Sequence, residues 1–414
     1  MNSNLNTKQL KHEAGKKETS EKMLDENNAY RVTKRLAFPR LTGSDGDSKA
    51  RKIVVEEFEN AGYNPIYRDK FMTSSYNWNF VRMMFIIIGS TLLLMALLFY
   101  INSFLTLSLA LINIFITFRA LSISVSNKIK LSKNEKYNFE TENFYVELKS
   151  QNSKAKVIFL GHWDSKSQSF SPSVRIIIFL ISVFGGFILF LAYIILSALK
   201  IFISFNIPIL NNILLDACIV VALIGIINYF NKTDNNSPGA FDNAAAVGII
   251  IELARFYVNN PMKNIDLIFL STGSEELNLG GAIHFIQKFK DKFDKKSTFF
   301  INLDLIGGSE LIRLISSYGI PRKSSSKKLN RLILESAEKN KFKIKDIYAP
   351  TGVWSDYMPI VQEGFEACWL GSQPGLKHVH TERDNMDLIS TEGLKNILVL
   401  CTDIIKKLDK EYHI

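Results

Sequence analysis

Five residues of this 414-residue chain have the types and the order of a two-metal hydrolytic centre. His162 stands in Gly161-His162-Trp163-Asp164, and Asp242 in Ser237-Pro238-Gly239-Ala240-Phe241-Asp242-Asn243. Glu276 belongs to the pair Glu275-Glu276, Asp304 to Asn302-Leu303-Asp304-Leu305, and His380 to His378-Val379-His380-Thr381. Two imidazoles and three carboxylates suit two zinc ions with one carboxylate shared between them. The spare Glu275 beside a ligand supplies what metal-assisted hydrolysis needs, a group that takes a proton from the attacking water and passes it to the leaving amine. Asp164 is placed to hold the other ring nitrogen of His162 in the right tautomer.

Singly, most of these residues have a plainer reading. His162-x-Asp164 also describes a structural hydrogen-bonded pair, and Asp242 in a Pro-Gly turn before a helix also describes a capping aspartate. Adjacent glutamates are common on solvated loops. Asp304 differs, because it is flanked by Ile301, Leu303, Leu305 and Ile306, where a carboxylate is costly to bury without a partner or a metal. His378 competes with His380, and the order of the whole set favours the latter.

The elements that must position these residues alternate. Strands are predicted at 155–160 running into His162, at 265–271 running into Glu275, at 299–306 carrying Asp304, and at 367–370. Helices are predicted at 50–61, 244–257, 329–339 and 392–408. Such alternation implies an α/β domain with a mixed, mostly parallel sheet whose ligands lie beyond the carboxyl ends of the strands.

Long apolar runs interrupt this pattern. Residues 83–118 carry no charge. As one helix they would reach roughly 54 Å at about 1.5 Å per residue, too long for a bilayer core of roughly 30 Å. Two spans with a turn near Asn102-Ser103 fit better. Residues 176–199 give a third span and 213–230 a shorter fourth, with Asp216 near its start. Arg82, Arg119, Lys128, Lys130, Arg175 and Lys232 flank the ends that face the globular parts, and the intervening turns hold only Lys200. Positive residues stay on the cytoplasmic side, so both hairpins are expected to enter from and return to the cytoplasm, which keeps all five ligands on one side. The expected organisation is a disordered tail at 1–28, globular parts at 29–80, 120–172 and 231–414, and inserted transmembrane helical hairpins at 81–119 and 173–230.

Fifty Lys and Arg against forty Asp and Glu give a net charge of +10. With no nucleic-acid motif and no basic stripe interleaved with aromatics, this excess points to a lipid bilayer surface as partner and excludes nucleic acid. Cys218, Cys368 and Cys401 are too scattered for a disulfide framework or a thiolate zinc site. The N-terminal stretch lacks the apolar run and cleavage site of a secretory signal.

The combined motifs resemble metallopeptidase family 28, the cocatalytic dizinc aminopeptidases and their carboxypeptidase relatives. The likeness rests on His162-Trp163-Asp164-Ser165, Pro238-Gly239-Ala240-Phe241-Asp242-Asn243-Ala244, Glu275-Glu276, Asn302-Leu303-Asp304-Leu305-Ile306-Gly307, and His380 with Asp384 and Asp387. Phe38-Pro39-Arg40-Leu41-Thr42-Gly43-Ser44 resembles the family's opening segment. The interval between Asp164 and Asp242 is longer than in a soluble member, and Gly281-Ala282 stands where Gly-Ser is frequent. The resemblance implies a three-layer zinc-peptidase fold. It also implies two zinc ions on His162, Asp242, Glu276, Asp304 and His380 with Asp242 bridging, Glu275 as general base and acid, and Asp164 orienting His162. Tyr357, in Ser355-Asp356-Tyr357, is a candidate oxyanion donor. The expected protein is an integral, multi-pass membrane aminopeptidase facing the cytoplasm and acting on peptide or protein N-termini. A glutaminyl-peptide cyclotransferase and a non-catalytic peptidase-like scaffold are the alternatives, since His162-Trp163-Asp164-Ser165-Lys166 also resembles the cyclases.

Overall fold

The computed structural model of the protein describes residues 23–74, 76–126, 139–319, 321–349, 355–373 and 377–413. The expected tail up to residue 22, and the flanking Lys128 and Lys130, lie outside them. In chain order, helices α1 (Glu26–Leu36) and α2 (Asp45–Asn60) precede strand β1 (Tyr67–Thr73), and helices α3 (Tyr76–Ile101) and α4 (Ser103–Ser126) follow. Strands β2 (Phe139–Leu148), β3 (Ala155–His162) and β4 (Ser167–Gln168) lead to helices α5 (Pro172–Leu180), α6 (Gly186–Ile203) and α7 (Pro208–Ile227). Then come β5 (Thr233–Asp234), α8 (Ala245–Asn259), β6 (Ile265–Thr272), α9 (Gly280–Phe289), β7 (Thr298–Leu303) and β8 (Ile312–Tyr318). The chain ends with β9 (Lys323–Ser324), α10 (Lys327–Lys339), β10 (Ile344–Ala349), α11 (Tyr357–Gln362), β11 (Glu366–Ser372) and α12 (Thr391–Glu411).

The main sheet has the order β1-β2-β6-β3-β7-β11-β8-β10, with β9 on β8. Its centre, β6-β3-β7-β11, is parallel. The pairings β1–β2, β2–β6 and β11–β8 are antiparallel, and β10 returns parallel to β8. The sheet is therefore mixed, and the parallel character read from the alternation belongs to its centre. The pattern underlying that expectation missed β2, whose Glu140, Glu142 and Glu147 break the apolar run. Glu142 is buried but offset by Arg68, which donates to it through Nε and Nη2 at 2.9 and 2.6 Å.

Along the central strands, side chains alternate between two cores, as a pleat of period two requires. Val157, Phe159, Leu267, Phe269 and Ile301 face a cluster shared with α1, α2, α8, α10 and α12. Ile158, Leu160, Ile268, Leu270 and Phe300 face the opposite cluster with α9 and α11. Helix α1 starts inside the stretch expected to be tail: Asp25 caps it by accepting from the Asn27 amide, and Ala29, Val32 and Leu36 are buried.

The apolar insertions pack on each other. Leu92, Met95 and Phe99 of α3 and Ala110 of α4 form one cluster with Phe190 and Tyr193 of α6 and Leu214 and Cys218 of α7. Asn102 alone separates α3 from α4, and its Oδ1 accepts the Phe104 amide at 2.9 Å. A π turn at Ile181–Gly185 joins α5 to α6. Pro172–Ile203 and Pro208–Phe230 are long and apolar enough to cross a membrane, while Phe85–Ile101 and Ser103–Ile116 are shorter apolar helices. The second insertion leaves through β4 and returns through β5, a two-stranded antiparallel ribbon at its root.

The stacked rings of Phe159 and Phe269, with centroids 5.9 Å apart, sit in the middle of the larger core. Replacing Phe269 with Ala is expected to cost about 3–5 kcal/mol, measured by denaturant unfolding. A loss under about 1 kcal/mol would mean that the site collapses around the gap.

Candidate metal centre

Every proposed ligand lies at or beyond the carboxyl end of a parallel strand or in the turn that faces those ends. His162 is the last residue of β3, Asp304 follows β7 directly, and the Glu275-Glu276 loop follows β6. His380 lies in the loop after β11, and Asp242 lies in the turn before α8. That turn needs Gly239, whose φ is +58°, because a Cβ there would meet Ser165 Cβ at 2.5 Å.

The five side chains converge on two adjoining groups, His162-Asp242-Asp304 and Asp242-Glu276-His380, in each of which the ligand atoms lie within 4.8 Å of one another. Asp242 belongs to both. Its Oδ1 is 3.2 Å from His162 Nε2, and its Oδ2 is 3.1 Å from His380 Nε2. Asp304 Oδ1 is 3.7 Å from His162 Nε2, and Glu276 Oε2 is 3.2 Å from His380 Nε2. Asp304 Oδ1 is buried and accepts no hydrogen bond, while its Oδ2 is held by Ser355 at 2.5 Å and Trp369 at 3.2 Å. One oxygen tethered and the other free and aimed at an imidazole is the donor arrangement a cation requires. The residues present thus fit two metal ions bridged by one carboxylate. The competitor His378 instead lines a cavity of about 640 Å³ beside the His380 loop, together with Gln168, Ser171 and Arg383.

Glu275 Oε2 lies 3.8 Å from His162 Nε2, at the edge of the first group. Burial pushes its carboxyl well above the usual range, and Glu276, Asp304 and Asp356 add to the rise against the opposing His162. Glu276 behaves in the opposite way. Burial alone would raise it, but His380 and Lys166 override that and bring it down to about 2. Lys166 Nζ is 2.7 Å from Glu276 Oε2. Adjacent glutamates are therefore pushed apart, one towards carrying a proton and the other towards permanent ionisation. Burial works against charge on both imidazoles, yet the surrounding carboxylates raise both, His162 well above its ordinary value.

Asp164 stands beside His162 and has a further task. His162 Nδ1 is 3.0 Å from the Asp164 backbone carbonyl, whereas its carboxylate stands at 3.6 Å. The carboxylate accepts the amides of Glu275 and Glu276 at 3.1 and 3.2 Å, so it fixes the loop bearing those glutamates. Asp384 plays the same part for the other loop, accepting the amides of Phe241 and Asp242 at 2.7 and 3.1 Å. Burial raises Asp384 to about 7. Tyr357 is fully buried in the second core, edge-on to Tyr318.

Sequence reasoning assigned no task to several residues that build the site. Arg40 is fully buried and donates to the carbonyls of Trp163, Phe38, Pro238 and Gly239, clamping the segment after β3 to the turn before Asp242. Burial lowers its guanidinium to about 10, although four nearby acids oppose the shift. Asn143 of β2 bridges the Glu275-Glu276 loop, accepting from Gly273 N at 3.1 Å and donating to Gly281 O at 2.9 Å. Asp356 accepts from Thr272 Oγ1 and is raised by burial to about 7. Only its place in Ser355-Asp356-Tyr357 marked it in the sequence.

Comparisons with known proteins agree with this geometry. The family model described as Peptidase family M28 matches residues 224–405. Aminopeptidase YwaD of Bacillus subtilis (strain 168) is 28% identical over 172 residues, covering 38% of this chain and 35% of that protein. The alignment thus spans about a third of that relative. Among solved structures, the zinc aminopeptidase BSAP from Bacillus subtilis shares the fold at a TM-score of 0.53 and 14% identity, over 93% of this chain and 95% of that one. A glutaminyl cyclase from an Acidobacteriales bacterium does so at 0.54 and 13%, over 96% and 99%. The matched residues 224–405 include Asp242, Glu276, Asp304 and His380, and the solved structures share the fold.

Proposed function

We propose that this chain is a membrane-embedded zinc exopeptidase of the aminopeptidase type, with Glu275 as general base and His162, Asp242, Glu276, Asp304 and His380 as ligands. The observation that carries the reading is Asp242, whose two oxygens each face a different imidazole at 3.1–3.2 Å. Two bound zinc ions would supply Lewis acidity, acidifying a water and polarising the scissile carbonyl. Glu275 takes the proton of the attacking water and returns it to the leaving amine, from a place 3.8 Å from His162 Nε2 at the edge of the first ligand group. Asp164 and Asp384 hold the two ligand loops through backbone amides, so that the acids stay in place as charge moves.

The membrane reading draws on surface chemistry. Only 33% and 22% of the most apolar windows of Pro172–Ile203 and Pro208–Phe230 are buried, unlike the core helix of a soluble protein. Ile188, Ile195 and Ile213 point outwards at 64, 58 and 57% exposure, and Leu97 and Phe104 of α3 and α4 do the same. An outward apolar patch of this kind calls for lipid or a partner. Arg82, Arg175 and Lys232 lie at the domain end. At the far end Lys200 has its ammonium on the Phe99 carbonyl at 2.9 Å. In this reading all four apolar helices cross the bilayer and the metal centre faces the cytoplasm.

Zinc analysis of the purified protein with a panel of aminoacyl fluorogenic substrates tests the proposal. Two zincs per chain and amine release are expected. One zinc with cyclisation of N-terminal glutamine would favour the cyclase, and no turnover with either substrate class would favour the scaffold. Glu275→Ala should retain zinc and lose about 10²–10⁴-fold in kcat, and metal-replete variant protein with full activity would refute that role.

Zinc must take Nε2 lone pairs from imidazoles whose proton affinity is raised, so binding expels protons. Chelator competition between about pH 6 and 8 should show affinity falling as the pH falls, by up to about tenfold per unit for each proton displaced. A flat profile would contradict protonated histidines in the site. In cell fractionation the protein should stay with membranes through alkaline carbonate washing and be released only by detergent. Recovery in the wash would count against the spans.

A further inference from the structure

The root of the second apolar insertion touches one half of the metal centre and not the other. In the β4–β5 ribbon, Ser167 lies opposite Asp234 and Gln168 opposite Thr233. Gln168, which is buried, donates its backbone N–H to the His380 carbonyl at 3.0 Å. Its side-chain Oε1 lies 3.2 Å from His380 Nδ1. Arg175, at the end of the first turn of α5, donates through Nη1 to the same Oε1 and brings Nη2 to 3.1 Å from His380 Nδ1.

These contacts can be sorted by what a metal ligand requires. His380 Nε2 faces Asp242 and Glu276, so with a metal held there its lone pair is committed and a neutral ring must carry its proton on Nδ1. That N–H needs an acceptor. Arg175 has only donors, so the acceptor in place is Gln168 Oε1. The guanidinium then acts on Gln168, keeping the amide oxygen rather than the amide nitrogen turned to the ring. The constraint matters because His380 has φ +60°, left-handed backbone at a residue other than glycine. His162 is held differently, by the Asp164 carbonyl within its own strand-end turn.

We propose that Gln168 and Arg175 are positioning residues for His380, which makes the root of the apolar insertion a working part of the metal centre. The inference rests on the two-zinc reading above. It places the control of one ion, the one on Asp242-Glu276-His380, in β4 and in the first turn of α5, where the stretch Pro172–Ile203 begins.

The test is zinc affinity of the full-length protein in detergent, read by competition with a chromophoric chelator and paired with the thermal unfolding midpoint. Gln168→Met keeps the length and removes the acceptor. It is expected to weaken one of two zincs by about 10–100-fold and to leave the other and the midpoint of the zinc-free protein unchanged. Gln168→Glu retains an acceptor and a partner for Arg175, and should restore tight binding of both ions. Arg175→Met should weaken the same zinc in the wild-type background and do nothing further once Gln168 is Met. Tighter zinc binding by Arg175→Met in either background would give that residue an electrostatic effect only and overturn its part. Wild-type protein with two tight zincs and an unchanged Gln168→Met variant overturns the inference alone, whereas wild-type protein that binds no zinc overturns the metal reading beneath it.

Discussion

Everything in this fold answers to one electrostatic problem: a carboxylate, Asp242, set between two imidazoles in a pocket already crowded with buried acids. Asp164, Glu275, Glu276, Asp304, Asp356 and Asp384 are all buried around it. Charges removed from water must be neutralised, paired or protonated. The chain uses all three means. Lys166 sits on Glu276, and Arg40 lies within the same field while bonding only carbonyls. Burial pushes Glu275, Asp356 and Asp384 towards their neutral forms. The free oxygen of Asp304, and Asp242 with an imidazole against each of its oxygens, form the opening for divalent cations.

The scaffold answers that problem with strand ends and amide-binding carboxylates. Parallel strands β3, β6, β7 and β11 deliver their carboxyl ends to one rim. The loops beyond them are long, and loops of this kind need fixing if they are to hold a geometry of tenths of an ångström. Asp164 and Asp384 each fix one loop by accepting two consecutive backbone amides, and Asn143 spans a third contact from β2. The proposed membrane helices join this network through Gln168, which ties the apolar bundle to the ligand rim by backbone and side chain alike.

Much of this was legible in the residues themselves. The strands bearing His162, Glu275 and Asp304 read as apolar runs that end in a polar residue, because a central parallel strand is buried on both faces and its polar chemistry begins where the pairing stops. The turn between α3 and α4 could be placed because Asn102-Ser103 breaks an uncharged run too long for one span. β2 was hidden, since Glu142 occupies a strand position where Arg68, from a distant segment, makes its charge tolerable. The task of Asp164 was hidden for another reason: proximity in sequence suggested His162, while its carboxylate reaches amides more than a hundred residues away. Arg40 and Gln168 could not be read at all, because each acts through carbonyls or a ring supplied by remote chain.

The ligands are spread from residue 162 to residue 380, and both apolar helix pairs come before the last of them. During synthesis, therefore, the ribosome completes the greasy bundle well before it makes the second histidine. A nascent chain can hold at most a half-built cation cage while its hydrophobic helices seek their final surroundings. The last ligand of the proposed centre is made only after both apolar insertions are complete.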